Sequence, residues 1–150
     1  MSLKIFASGD VVNQKGKQDF ISESVKEFIL AADFSICNFE APISTEESKP
    51  INKTGPHLSQ SRNSVKCLKD SGFTHASLAN NHIYDYGQSG LIKTIEEFKK
   101  NNIEYVGAGR NFNDAYAHLL LEKNNLKIAL IAACENEFGC IYEDQDKGGY

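Results

Sequence analysis

The sequence predicts an α/β fold built on a largely parallel sheet. Two observations carry that expectation. Short β-type apolar runs alternate along the chain with helical apolar spacings, and a repeated strand–helix–strand order lays strands side by side in one direction. The polar residues also gather just after the strand runs: Asp10, then Asn38 and Glu40, then Asn80, Asn81 and His82. In sheets of this class ligands collect at the carboxyl ends of the strands.

Each element has its own signal. Residues 3–8, "LKIFAS", read as a short buried strand ended by Gly9 and Asp10. Residues 19–32 place Phe20, Ile21, Val25, Phe28, Ile29 and Ala32 at helical spacing, with Asp19 or Ser22 as cap. "DFSICNFE", residues 33–40, is a second strand. Residues 41–61 are rich in Ser, Thr, Pro, Lys and Gly and read as a long exposed loop, a lid or an extended excursion, of a length uncommon without a use or disorder. A helix over 62–72 stops at Gly72, "FTHASLA" (73–79) is the third strand, and residues 87–102 form an amphipathic helix with Leu91, Ile92, Ile95 and Phe98 inward. "IEYVGAG" (103–109) is a short strand ending in a tight glycine turn. A helical turn and a hairpin follow, with strands over 117–122 and 127–133 around "KNN".

Composition bounds the function. The 150 residues predict one domain, and a net charge of −4 with no basic stripe argues against a nucleic-acid partner. No run reaches the roughly 18 apolar residues of a membrane span. Cys37, Cys67, Cys134 and Cys140 form no CxxC pair, and three lie in or beside apolar runs, so they read as reduced, buried thiols. With no signal peptide in view, the expected location is cytoplasmic. There is no Walker motif and no GxSxG elbow.

The chemistry concentrates in "SLANNHIYDYG", residues 77–87. Asp10 and Glu40 offer carboxylate oxygens, Asn81 an amide oxygen and His82 an imidazole, a set that suits Mn, Mg, Fe or Zn without selecting among them. Two such ions can generate a hydroxide and clamp a phosphate, with an imidazole as proton donor. Taken singly, Asp10 reads more simply as a turn residue and Glu40 is evenly balanced between turn and ligand. The Asn81–His82 pair favours function, and Asp85, in "DYG", favours turn structure. Asn38 and Asn80 stand beside the ligands as supporting groups. His57 reads as exposed loop, and His75 and His118 as structural residues of strands. Glu135 and Glu137 end the last strand run and are weaker candidates for the same edge.

Taken together, "GD" after the first strand, "ADFSICNFEAPI", "GFTHASLANNHIYDYGQSGLIKTIEEFKKNNIEYVGAG" and "KIALIAACENEF" resemble the poly-gamma-glutamate capsule synthesis (CapA-type) family, a branch of the calcineurin-like metallophosphoesterases. The resemblance runs from about residue 4 to the end and matches the family's amino-terminal part. It implies a layered α-β-β-α fold with a two-metal centre at the strand ends. By position it makes Asp10, Glu40 and Asn81 metal ligands and His82 the histidine that assists at the phosphate. Val12 stands where the superfamily's first motif usually has a histidine. The family's later paired histidines have no counterpart before Tyr150, so the resemblance implies roughly the first half of a larger fold. The expected activity is that of a metal-dependent hydrolase linked to capsule or polysaccharide synthesis, acting on a phosphate-containing or polymer substrate. The alternative is a non-catalytic scaffold of a polymer-synthesis complex. Half a layered fold would bare apolar strand faces and favour self-association or pairing with the missing half.

Overall fold

The computed structural model describes residues 2–138 and 147–150. The elements follow in the order β1 (Ile5–Val11), α1 (Glu23–Leu30), β2 (Phe34–Phe39), α2 (Asn63–Asp70), β3 (His75–Ser77), α3 (Gly87–Lys100), β4 (Glu104–Val106), α4 (Phe112–Tyr116), β5 (Leu119–Lys123) and β6 (Leu126–Leu130). Strands β1-β2-β3-β4 form a four-stranded sheet in chain order, with every neighbour parallel. The α/β class therefore stands as the alternation predicts. Strands β5 and β6 form a separate antiparallel pair around Asn124 and Asn125, both at positive φ as a two-residue hairpin turn requires.

One face of the sheet makes the core. Ser35, Cys37 and Phe39 alternate inward along β2. The core gathers Cys37 and Phe39 with Ile29 of α1, Val65 and Leu68 of α2, and Leu91, Ile95 and Phe98 of α3. Phe39 and Phe98 pack edge to face at 5.0 Å between ring centroids. On the opposite face, register aligns Ala7, Ile36 and His75, then Asp10, Asn38 and Ser77.

Asp10 reaches that second face through an irregularity. Ala7 pairs with Ile36 and Asp10 with Asn38, so β1 takes three steps where β2 takes two. Side chains alternate with period two, and a bulge of one residue moves every later side chain to the other face. Without it Asp10 would share the core side with Phe39. Gly9 lies at this bulge with open space around its Cα.

Several local expectations need correction. Strand β1 is not a buried strand. It lies at the sheet edge with residues exposed or half-buried throughout, and Ile5 is 45% exposed. Helix α1 is shorter than its apolar spacing suggests, and Val25 and Phe28 face outward. Residues 41–61 are not exposed throughout. Ala41, Ile43 and Gln60 are buried, and Ile43 bridges Gln60. His57 is half-buried, and its Nε2 donates to the Ile51 carbonyl at 2.7 Å. His118 precedes β5 and is exposed rather than within a strand. His75 lies buried in β3, where it packs edge to face on Phe34, and burial lowers its pKa. Cys37 and Cys67 are buried and Cys134 is half-buried; Cys140 lies outside the described residues.

The glycine turn after β4 has a steric reason. Gly107 sits at φ +86°, and a Cβ there would meet Ala79 Cβ at 2.7 Å and Ala132 Cβ at 2.8 Å. Glycine adopts that backbone without strain and, lacking a Cβ, admits the approach.

Candidate functional site

The carboxyl ends of β1, β2 and β3 meet through side-chain amides. Asn38 Nδ2 donates one hydrogen to Asp10 Oδ1 at 2.7 Å and the other to Glu40 Oε2 at 2.8 Å. Asn38 Oδ1 in turn accepts from Asn80 Nδ2 at 3.1 Å. Asn80 Nδ2 also donates to the Phe39 carbonyl at 3.0 Å, and Asn80 Oδ1 accepts from the His82 amide at 3.2 Å. These bonds fix the orientation of both amides and tie three strand ends into one unit.

Electrostatics mark the same place. Glu40 is buried, and its pKa is raised above the ordinary carboxylate value. Desolvation is the largest cause, the Asn38 hydrogen bond works against it, and the Asp10 carboxylate adds to it. Two carboxylates therefore share one neutral donor. Such a pair suits a hard divalent cation, which would offset both the repulsion and the lost hydration.

His82 stands on a second anchor. Its Nδ1 lies 2.7 Å from Asp85 Oδ2, and a carboxylate oxygen can only accept, so Nδ1 carries the proton. The other nitrogen, Nε2, is then the unprotonated one of that tautomer. His82 keeps 16% of its side-chain surface, whereas Asp85 is fully buried. Asp85 lies in a turn and is also the hydrogen-bond partner of the histidine.

The other candidates separate clearly. Asn81 is half-buried, and its side chain makes no hydrogen bond among the described residues. Glu135 and Glu137 are exposed. Among the described residues, no three His, Cys, Asp or Glu side chains form a metal-holding group. The carboxylate pair Asp10–Glu40 is thus the part of the predicted ligand set that the fold draws together.

Sequence reasoning missed two buried polar residues of the 41–61 loop. Gln60 Oε1 accepts from the Asn13 amide at 2.7 Å, and its Nε2 donates to the carbonyls of Val11 and Glu40. Lys53 makes an ion pair with Asp85 and is equally hidden. The signal that could have found them is the scatter of Ile43, Ile51 and Leu58 through a polar segment, since isolated apolar residues in a loop point to a surface it covers.

A family model described as "Bacterial capsule synthesis protein PGA_cap" matches residues 4–149. The chain is 36% identical over 124 residues to "Capsule biosynthesis protein CapA" of Bacillus anthracis, covering 81% of this chain and 30% of that protein. It is 38% identical over 115 residues to "PGA biosynthesis protein CapA" of Bacillus subtilis (strain 168), covering 77% of this chain and 30% of that protein. The matched region thus spans 30% of the length of these relatives. The mixed α/β architecture with a parallel sheet is consistent with part of a metallophosphoesterase-like fold, the superfamily to which that family belongs. The chain belongs to the bacterial capsule synthesis protein PGA_cap family.

Proposed function

We propose that this chain contributes the carboxylate side of a metal-dependent, metallophosphoesterase-like hydrolase site that acts in capsule or poly-gamma-glutamate synthesis. One observation carries the reading: Asp10 and Glu40 converge on a single Asn38 amide at the carboxyl ends of parallel strands, with Glu40 desolvated. Asp10 and Glu40 would hold a divalent cation (Mn, Fe, Zn or Mg), with the Asn81 amide as a further oxygen ligand. A bound ion of this kind polarises a phosphoryl oxygen and lowers the pKa of bound water. Asn38 keeps the two carboxylates at a fixed separation. His82, with its Nδ1–H held by Asp85, would take up a second proton at Nε2 and give that proton to the leaving oxygen. The substrate class is a phosphate-containing compound or polymer.

Calorimetric titration of Mn into metal-free protein, followed by a chromogenic phosphodiester assay, tests this. The expected result is saturable binding that Asp10→Ala abolishes, with turnover falling about 100-fold or more in His82→Ala. Metal-dependent turnover that survives both substitutions would overturn the assignment. The absence of a three-ligand His, Cys, Asp or Glu group among the described residues favours a second reading, a non-catalytic module of a polymer-synthesis complex. Saturable polymer binding without metal-dependent turnover would select it. Self-association belongs to either reading, since Phe28 and Leu30 of α1 are 69% and 68% exposed and β1 leaves an open edge.

A further inference from the structure

We propose that Lys53, from the loop between β2 and α2, is a positioning residue for His82: it secures the Asp85 carboxylate as acceptor of the His82 Nδ1–H and so leaves Nε2 as the nitrogen that takes up and gives a proton. This rests on the hydrolase reading for its purpose, but not for its geometry. Four contacts from the loop and the turn converge on Asp85. Its backbone carbonyl accepts from the Ile51 amide at 2.9 Å. Its Oδ2 accepts from the Leu58 amide at 2.7 Å and from His82 Nδ1 at 2.7 Å. Its Oδ1 meets the Lys53 ammonium.

The burial is what makes Lys53 more than a loop fastener. Its side chain is 2% exposed and that of Asp85 is 0% exposed. Removing two charges from water is costly, and the backbone amides of Ile51 and Leu58 already hold the loop against the turn. The ammonium adds something those amides lack, a full countercharge against the carboxylate that faces the ring. Lys53 Nζ also lies 3.3 Å from His82 Nδ1. That nitrogen has a single in-plane direction, and Asp85 Oδ2 is nearer and has no hydrogen to give. The ring therefore donates to Asp85, and Lys53 packs beside Nδ1 with its charge directed to Oδ1. The Phe138 ring also lies near, 5.2 Å from Nζ to the centroid, within cation–π range.

Long-range 1H–15N correlation spectra of the full chain, taken metal-free with neutral imidazoles, read the His82 tautomer directly. The wild type is expected to show the Nδ1–H form. Lys53→Met alone leaves a buried, unpaired Asp85 and is at risk of not folding. Lys53→Gln removes the charge but keeps an amide that can donate to Asp85, which lessens that risk. It is expected to shift the tautomer ratio about tenfold towards Nε2–H, because a neutral amide holds the Asp85 carboxylate less firmly than the ammonium does. Lys53→Arg should keep the wild-type spectrum. An Nε2–H tautomer in the wild type, or an unchanged ratio in folded Lys53→Gln, overturns the proposal. Phosphodiester turnover separates the two ideas. With activity present, Lys53→Gln should lose about tenfold in kcat with KM nearly unchanged. If the wild type shows no turnover while the tautomer shifts as expected in Lys53→Gln, Lys53 keeps its role and the hydrolase reading falls.

Discussion

Glu40 is buried, whereas the cation site proposed for it needs a charged carboxylate, and its titration exposes the conflict. Its folded pKa is raised, so between the ordinary value of 4.5 and that raised value the native state holds a proton that the unfolded chain has released. Stability of the metal-free protein should therefore gain from this group as pH falls through that window. Cation binding, which needs the carboxylate, should weaken over the same window. The clean measurement is the difference in unfolding free energy between wild type and Glu40→Gln as a function of pH. It cancels the opposite contribution of His75, whose lowered pKa makes acid destabilising. At neutral pH Glu40→Gln should be more stable than wild type without metal, since it removes the buried charge and keeps an oxygen to accept from Asn38. It should also bind Mn more weakly. A variant less stable at every pH would mean that Glu40 is held as comfortably as a surface acid. Cys37 shows the same physics in a thiol on the core face of β2, since burial pushes it up to about 12.

At the level of elements, the connections are harder to read than the elements they join. Strand β2 and helix α3 are legible because Cys37 and Phe39, and Leu91, Ile95 and Phe98, repeat with the periods of a strand and a helix. The polar cluster at the strand ends is legible for a related reason, because a parallel sheet sends all its carboxyl ends to one edge. The exposure of β1 is not, since apolar content cannot tell an edge strand from a central one. The loop of residues 41–61 is hidden from sequence because its ordering comes from contacts distant along the chain, and Gln60 is the clearest case. It satisfies Asn13, Val11 and Glu40 backbone groups at once. Gln60→Leu should cost about 3 kcal/mol in urea denaturation, since it leaves those groups without partners in a dry place. Mn affinity should fall with it, because the same bonds set where Glu40 begins. A loss below about 1 kcal/mol would show that water replaces the amide and that the loop is less closely fitted.

The whole molecule combines a well-covered sheet face with an uneven exterior. Core residues from α1, α2 and α3 seal one side, while Val25, Phe28 and Leu30 of α1 and Leu120 of β5 remain outside. No helix among the described residues is long and apolar enough to cross a membrane. Exposed apolar side chains on a helix, together with an open strand edge, favour contact between proteins. Sedimentation velocity should show concentration-dependent association, and Phe28→Glu should reduce it without lowering the melting temperature, since that ring is 69% exposed. A wild-type chain that stays monomeric across the range would remove association from the account.

The bulge in β1 gives the site a parity. Asp10 reaches Asn38 because β1 spends one more residue than β2 between the pairing at Ala7 and the pairing at Asp10. Whether a carboxylate faces the cluster is thus a matter of counting as well as of identity. A relative that keeps the aspartate but lacks one residue between these positions would carry the right letter on the wrong side of the sheet. A one-residue gap before "GD" is therefore as informative as a substitution of the aspartate itself, and relatives are best compared by strand register before they are compared by motif.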